Sequence, residues 1–316
     1  MRIAVVIPAF NIGAFLPDAL RSVLGQTHTD WSMVAVDDGS TDETAVVAAE
    51  FSDPRIRLIR QDNCGVSAAR NRGIAAFLDD TAAFSSTAPD AFLFLDGDDW
   101  LAPDALACLD AALEMAPWAA VACGRYARVD ATDSSPPRLA APPPTGCLLE
   151  RLLTGNLFAN GGHLLIRREA IEGAGRFRTD LSYGEDWEYW TRVALLGEFV
   201  APQSRRPVLF VRERPGGTYC SNATNPAAYR PAMAAIFSNP ALTNRLGIGR
   251  MACLRQRAEA EMAWSVGREL IRQGQRRLGQ HWLGRSVWTA PSPKRLALMG
   301  FSWLQSGPFR PYGTAG

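Results

Sequence analysis

The chain has 316 residues, 47% hydrophobic and 21% charged, with a net charge of +1. Those proportions match ordinary globular proteins and exclude disordered, collagen-like and membrane-embedded classes, while the length allows a catalytic domain with an appendage. From Ile3 to Tyr126 short β-branched runs alternate with helical periodicity. IAVVI is followed by Leu16, Leu20, Val23 and Leu24 on one helical face, then by MVAV and a helix after Thr41. IRLI, a helix around Ile74 to Leu78, FLFL, a helix through Leu106, Leu109 and Leu113, and AAVA continue the series. Such alternation predicts a mainly parallel sheet covered on both faces, with ligands beyond the carboxyl ends of its strands.

Residues 131–146, ATDSSPPRLAAPPPTG, can continue neither a helix nor a central strand and read as a loop. A helix near Leu148 to Leu153, a strand HLLIR, a helix from Asp186 through Leu196 and a strand PVLFV follow. Beyond about Pro215 the composition shifts to helices rich in Arg and Trp, so a catalytic domain over 1–218 and a helical extension over 219–316 are expected. The six cysteines, Cys64, Cys108, Cys123, Cys147, Cys220 and Cys253, are scattered without a C-x-x-C pair and read as reduced thiols. The apolar run of MRIAVVIPAF is too short for an export signal, and no stretch reaches the ~18 apolar residues of a membrane span. A cytoplasmic protein is expected.

Three acidic landmarks carry chemistry. In AVDDGSTDET, residues 35–44, Asp37 and Asp38 fall at a strand's carboxyl end, and Ser40 with Glu43 matches a capping box. These acids either support the helix start or accept hydrogen bonds from a ribose or a base N–H. FLFLDGDDW, residues 92–100, ends an apolar strand in Asp96, Asp98 and Asp99. Their mutual repulsion is relieved economically by a hard divalent cation, Mn²⁺ or Mg²⁺, completed by diphosphate oxygens and water. In YGEDWEYWTRV, residues 183–193, Asp186 shares a helix face with Trp190 and Val193 and so aims inward from the first turn, where a general base could stand.

The ordered segments IPAFN, VDDGSTDET, GVSAARNRGI, FLDGDDWLAP and GRFRTDLSYGEDWEYWTR resemble the family 2 glycosyltransferases over about residues 3–218. The resemblance implies a GT-A type α/β fold: a mainly parallel central sheet flanked by helices, here with a C-terminal helical extension. It implies that Pro8, Phe10 and Asp38 line a nucleoside pocket with Asp37 beside them, that Arg70 approaches the diphosphate, and that Asp96 and Asp98 form the DxD pair. Asp98 would then be the direct metal ligand and Asp186 the catalytic base. The activity implied is inverting transfer of one sugar from a nucleotide-diphosphate sugar, UDP-linked as a first guess, to an acceptor hydroxyl in polysaccharide or glycolipid assembly. A guanidinium suits phosphate on its own account, because it binds two oxygens at once.

Two features depart from the family pattern. Where many relatives have yR-x-H-p-g-S, this chain reads VRERPGG, so Arg214 replaces a His, and Arg has no lone pair for a metal. Either Arg214 contacts the diphosphate or the loop has no part in metal binding. The Q-x-x-R-W motif and membrane helices of processive synthases are missing, which favours single-sugar transfer. A nucleotidyltransferase would need a Gly-rich basic loop after the first strand, where IPAFNIG stands, and a non-catalytic sugar-nucleotide binder would have no use for Asp98 and Asp186.

From Arg250 to Gly316 eleven Lys or Arg face three Glu, a local balance of +8 that leaves −7 for the rest. A basic tail on an acidic body argues against nucleic acid as partner. Trp264, Trp282, Trp288 and Trp303 and the segment LALMGFSWL suit peripheral contact with an anionic membrane, at its inner face, near a glycan or lipid-linked glycan acceptor. The alternative is packing on the catalytic domain or dimerisation. His163, beside Gly161 and Gly162, reads as a packing residue.

Overall fold

The computed structural model describes residues 1–79, 88–131, 135–214 and 222–304, with side chains as far as residue 300. The chain divides into two units, one of Met1–Leu149 and Leu157–Arg214, the other of Glu150–Asn156 and Pro215–Gly316. In chain order the elements of the first half are β1 (Ile3–Ala9), α1 (Leu16–Leu24), β2 (Trp31–Asp37), α2 (Thr44–Ala49), β3 (Ile56–Arg60), α3 (Val66–Leu78), β4 (Ala91–Phe94), β5 (Trp100–Leu101) and α4 (Ala105–Glu114). They are followed by β6 (Ala119–Cys123), β7 (Arg125–Asp130), β8 (Arg138–Leu139), α5 (Leu149–Thr154), a 3-10 turn (Gly161–His163), β9 (Leu164–Arg167), α6 (Arg168–Ala174), α7 (Glu185–Val193), β10 (Glu198–Val200) and β11 (Pro207–Glu213).

The main sheet runs β10-β6-β9-β4-β1-β2-β3. Strands β3, β2, β1 and β4 are parallel, whereas β9 is antiparallel to both β4 and β6. All seven residues of β1 are buried, as a parallel strand covered on both faces requires. On one face Ile3, Val5 and Ile7 pack with Leu16, Leu20 and Val23 of α1 and Leu106, Leu109 and Leu113 of α4. Each such side chain contributes about 1.5–3 kcal/mol of burial. β4 alternates: Ala91 and Leu93 join that layer, while Phe92 meets Phe77 edge-on and Phe94 meets Phe177 and Tyr189.

From β1 the chain moves to β2 and β3 on one side of the sheet, and later to β4 on the other. The topological reversal therefore lies between β1 and β4, where open parallel sheets present ligand crevices. The last β1–β4 pair is Val6 with Phe94, so Pro8, which has no N–H to give, sits where that neighbour has ended.

Two expectations need correction. No capping box forms: Ser40 Oγ accepts the Asn11 N–H at 3.0 Å, and Asp42 takes the Thr44 N–H at 3.0 Å instead, so α2 starts at Thr44. A second sheet, β5-β11-β7-β8, was absent from the expected scheme, and its β8 lies inside the segment 131–146 as a two-residue edge strand.

The second unit is helical: most of α5, then α8 (Pro226–Phe237), α9 (Pro240–Leu246), α10 (Ile248–Arg272), α11 (Arg276–Thr289) and α12 (Pro293–Leu304). Helices α10 and α11 form a hairpin with its own core, including Trp264, Leu270 and Leu283, and Ser286 Oγ donates to the Ala260 carbonyl at 2.7 Å. The tail tryptophans thus divide: Trp264 is core, while Trp288 is 90% exposed. Cys220 and the Trp303 side chain lie outside the described residues; the remaining cysteines are free thiols. Among the described residues no helix is long and apolar enough to cross a membrane.

Candidate active site

The turn after β4 is built into the reversal between β1 and β4. Leu95 N–H extends the ladder to the Val6 carbonyl at 3.0 Å, and the Asp99 N–H closes the turn onto the Asp96 carbonyl at 3.0 Å. Gly97 lies against β1's end: an added Cβ would stand 3.1 Å from the Pro8 carbonyl oxygen and collide with the Ile12 side chain. Glycine here lets the turn approach the first strand closely.

The three acids of this turn have different surroundings. Asp99 points inward, where its carboxylate accepts the Arg212 N–H at 2.8 Å and the Asn160 side-chain N–H at 2.6 Å. Burial, reinforced by the neighbouring Asp96 and Asp98 charges, pushes its pKa well above the ordinary carboxylate range. Asp96 is partly exposed and accepts from Arg70 at 3.0 Å. Desolvation raises its pKa against the opposing pull of Arg70, and Asp98 and Glu185 add to the rise. Asp98 faces β11: its Oδ2 accepts from Arg214 Nε at 2.7 Å, and its backbone carbonyl accepts from Arg212 Nε at 3.0 Å.

Arg70 joins two chain regions far apart in sequence. It is 4% exposed, from the second turn of α3, and donates to Asp96 through one terminal nitrogen and to Glu185 of α7 through the other, at 2.9 Å. Its guanidinium lies 5.3 Å from the Phe177 ring centroid, and Phe177 stacks on Tyr189 of α7 at 3.7 Å. Burial opposes the charge of Arg70, but Asp96, Glu185 and Asp186 outweigh it, and its pKa is raised. Among the described residues its Nε has no hydrogen-bond partner. Asn71, the next residue of α3, fixes the segment before α7 through a pair of hydrogen bonds with the Phe177 backbone at 2.7 and 2.8 Å.

Asp186 lies in the first turn of α7, partly buried, with Oδ1 accepting its neighbour Trp187 N–H at 2.6 Å. Trp190 and Val193 are buried as the helical spacing predicts. Asp186 is near enough to Arg70 to stabilise its charge, so Arg70, Asp96, Glu185 and Asp186 form one electrostatic cluster.

At the ends of β1 and β2, Phe10 is 46% exposed, while Pro8, Asp37 and Asp38 are buried. Asp38 organises the segment between β3 and α3: it accepts from Gln61 at 2.7 Å and from the N–H groups of Cys64 and Gly65 at 3.0 and 2.8 Å. Asp37 Oδ1 accepts the Ser40 N–H at 3.0 Å. Its Oδ2 lies 3.3 Å from Arg60 Nε, close enough for an ion pair but without hydrogen-bond alignment. His163 is packed inside: Nδ1 donates to the Gly124 carbonyl at 2.9 Å, and Nε2 accepts the Ala159 N–H at 3.3 Å.

Among the described residues no three His, Cys, Asp or Glu side chains converge as a ready-made metal cage. Two carboxylates flanking one glycine still fit a Mg²⁺- or Mn²⁺-type ion, which takes one or two protein carboxylates and fills its shell with phosphates and water.

Residues 4–174 match the family described as Glycosyl transferase family 2. The chain belongs to this family. A curated relative, Glycosyltransferase GlyA of Streptococcus pneumoniae, is 36% identical over 105 residues, covering 33% of this chain and 14% of that protein. The chain spans well under half the length of the first curated relatives it matches. Among solved structures, S. aureus TarS 1-349 in complex with UDP-GlcNAc has a TM-score of 0.60 at 15% identity, covering 98% of this chain and 93% of that one. The mannosyltransferase PcManGT of Pyrobaculum calidifontis, in complex with GDP-Man and Mn²⁺, has a TM-score of 0.55 at 18% identity, covering 96% and 79%. These likenesses establish the GT-A type fold.

Glu185, Asn160 and Arg212 contribute to the site but were not singled out from the sequence, whereas Asp99, read there as one of three mutually repelling acids, turns inward to Asn160 and Arg212. Glu185 could have been, since it precedes Asp186 in GED; Asn160 and Arg212 carry no local signal and reach the turn only through the tertiary fold.

Proposed function

We propose that the chain transfers a single sugar from a nucleoside-diphosphate sugar to an acceptor hydroxyl, with inversion at the anomeric carbon. The observation that carries this reading is the Arg70 tie, which joins the DxD turn after β4 to the helix start bearing Asp186. Donor-binding and proton-accepting groups are thereby held on one charged frame at the sheet's reversal. Asp186 takes the acceptor proton as the new bond forms, a role that contributes about 10²- to 10⁴-fold. Arg70 fixes Asp96 and Glu185; Phe10 offers an exposed ring to the base, and Asp38 shapes the loop beside it. A divalent cation, when bound, would be held by Asp98 with Asp96 and would supply positive charge beside the departing diphosphate.

A UDP-sugar is the first donor to try, because TarS, which shares the fold, is solved with UDP-GlcNAc. The acceptor reading is a glycan or lipid-linked glycan, approached at a membrane surface. In its favour, Leu278, His281, Arg285 and Trp288 share one exposed stripe of α11, with Arg277 beside it. A screen of nucleotide sugars with Mn²⁺, reading release of nucleoside diphosphate, tests the activity. Failure of every donor in the presence of glycan and polyprenyl-linked acceptors would contradict it.

A further inference from the structure

Arg214 directly follows Glu213, the last residue of β11. Its Nε donates to Asp98 Oδ2 at 2.7 Å, and its guanidinium lies 5.5 Å from the Phe15 ring centroid. Two residues earlier, within β11, Arg212 holds the same turn through the Asp98 carbonyl and the Asp99 carboxylate, and lies 4.7 Å from the Trp100 ring centroid. The end of β11 and the residue after it thus grip the DxD turn at three points, and of these only the Arg214 contact uses the Asp98 carboxylate.

A guanidinium has five donors and no lone pair, so it can pair with this carboxylate but cannot share a metal with it. A divalent cation arriving at Asp98 meets a resident positive charge, and like charges this close repel strongly. We propose that Arg214 is a built-in counter-cation for Asp98, which competes with the divalent cation and releases the carboxylate when the metal binds. This rests on the reading of Asp98 as metal ligand. Freed from Asp98, a guanidinium at this position suits bidentate contact with diphosphate oxygens, so metal entry is favoured when nucleotide is present.

Mn²⁺ alone, titrated against the full-length chain with free Mn²⁺ read by electron paramagnetic resonance, tests the proposal. Arg214→Ala and the length-retaining Arg214→Gln should bind Mn²⁺ about tenfold more tightly than wild type, the effect of removing one partly exposed ion pair plus its repulsion. Arg214→Lys keeps the charge and should stay near wild type; Asp98→Asn should abolish the gain when combined with Arg214→Ala. Circular dichroism and thermal melting establish that the variants are folded. Equal affinity in the wild type and both neutral variants, including binding by none of them, overturns the proposal. If Arg214→Ala is unchanged while Asp98→Asn weakens binding, the competition fails and the metal-ligand reading stands. A gain that survives Asp98→Asn contradicts both.

Discussion

Acidification from pH 6.5 to 4 should cost the protein stability through His163. Burial lowers the pKa of this imidazole from 6.5 to about 4, against the partial support of its bond to the Gly124 carbonyl. The ring is enclosed by Tyr126 and Phe158, with centroids at 5.1 and 5.7 Å, and its neutral form already satisfies both nitrogens. Between those pH values the unfolded chain binds a proton that the native chain refuses. The contribution is complete above about pH 6.5 and falls by about 1.4 kcal/mol per pH unit as pH drops, a loss of about 3 kcal/mol by pH 4. Urea unfolding of wild type and His163→Gln across this range isolates the effect, because the carboxylate contributions cancel in the difference. The variant loses packing at every pH, but its disadvantage should shrink by about 1.4 kcal/mol per unit toward acid. An NMR titration of the His163 ring should give a midpoint near 4. A difference constant with pH, or a midpoint near the ordinary histidine value, would refute the reasoning.

Gly97→Ala should lower stability by about 1–3 kcal/mol, the range for overpacking a tight site, and displace the DxD turn from the Pro8 carbonyl. Urea melts and donor-hydrolysis rates read both effects; wild-type values in both would remove the close-approach argument. Flotation with anionic and neutral vesicles tests the α11 stripe. Binding should favour anionic vesicles and weaken with salt, since screening shortens the reach of charge to about 8 Å at physiological ionic strength. No binding to either at low salt would leave the second unit a packing element.

The parallel half of the sheet was legible because its strands are continuous apolar runs and its helices carry clean apolar faces, as in IAVVIPA followed by Leu16, Leu20 and Val23. The second sheet was not. β5 and β8 have two residues each, and β7, RYARVD, is largely polar because its Arg128 side chain pairs with Glu213 of β11. Local pattern also misassigned the start of α2: the Ser40–Glu43 spacing reads as a capping box, but the tertiary contact with Asn11 diverts the serine and Asp42 takes the Thr44 N–H. Of the site, the motif residues could be named from the sequence but not their pairing. That Arg70 bridges Asp96 to Glu185, and that Arg214 holds Asp98, depends on contacts 26 to 116 residues apart. Composition likewise could not separate Trp264 from Trp288, which face core and solvent.

The central claim is that Asp186 is the base of a transfer reaction carried out on this frame. With the donor found by screening, the most direct test is the steady-state kinetics of Asp186→Asn together with donor affinity measured by calorimetry. Removing only the proton-accepting oxygen should lower kcat by about 10²- to 10⁴-fold while donor affinity stays near wild type. A variant that keeps its turnover, or loses donor affinity and turnover together, would contradict the account.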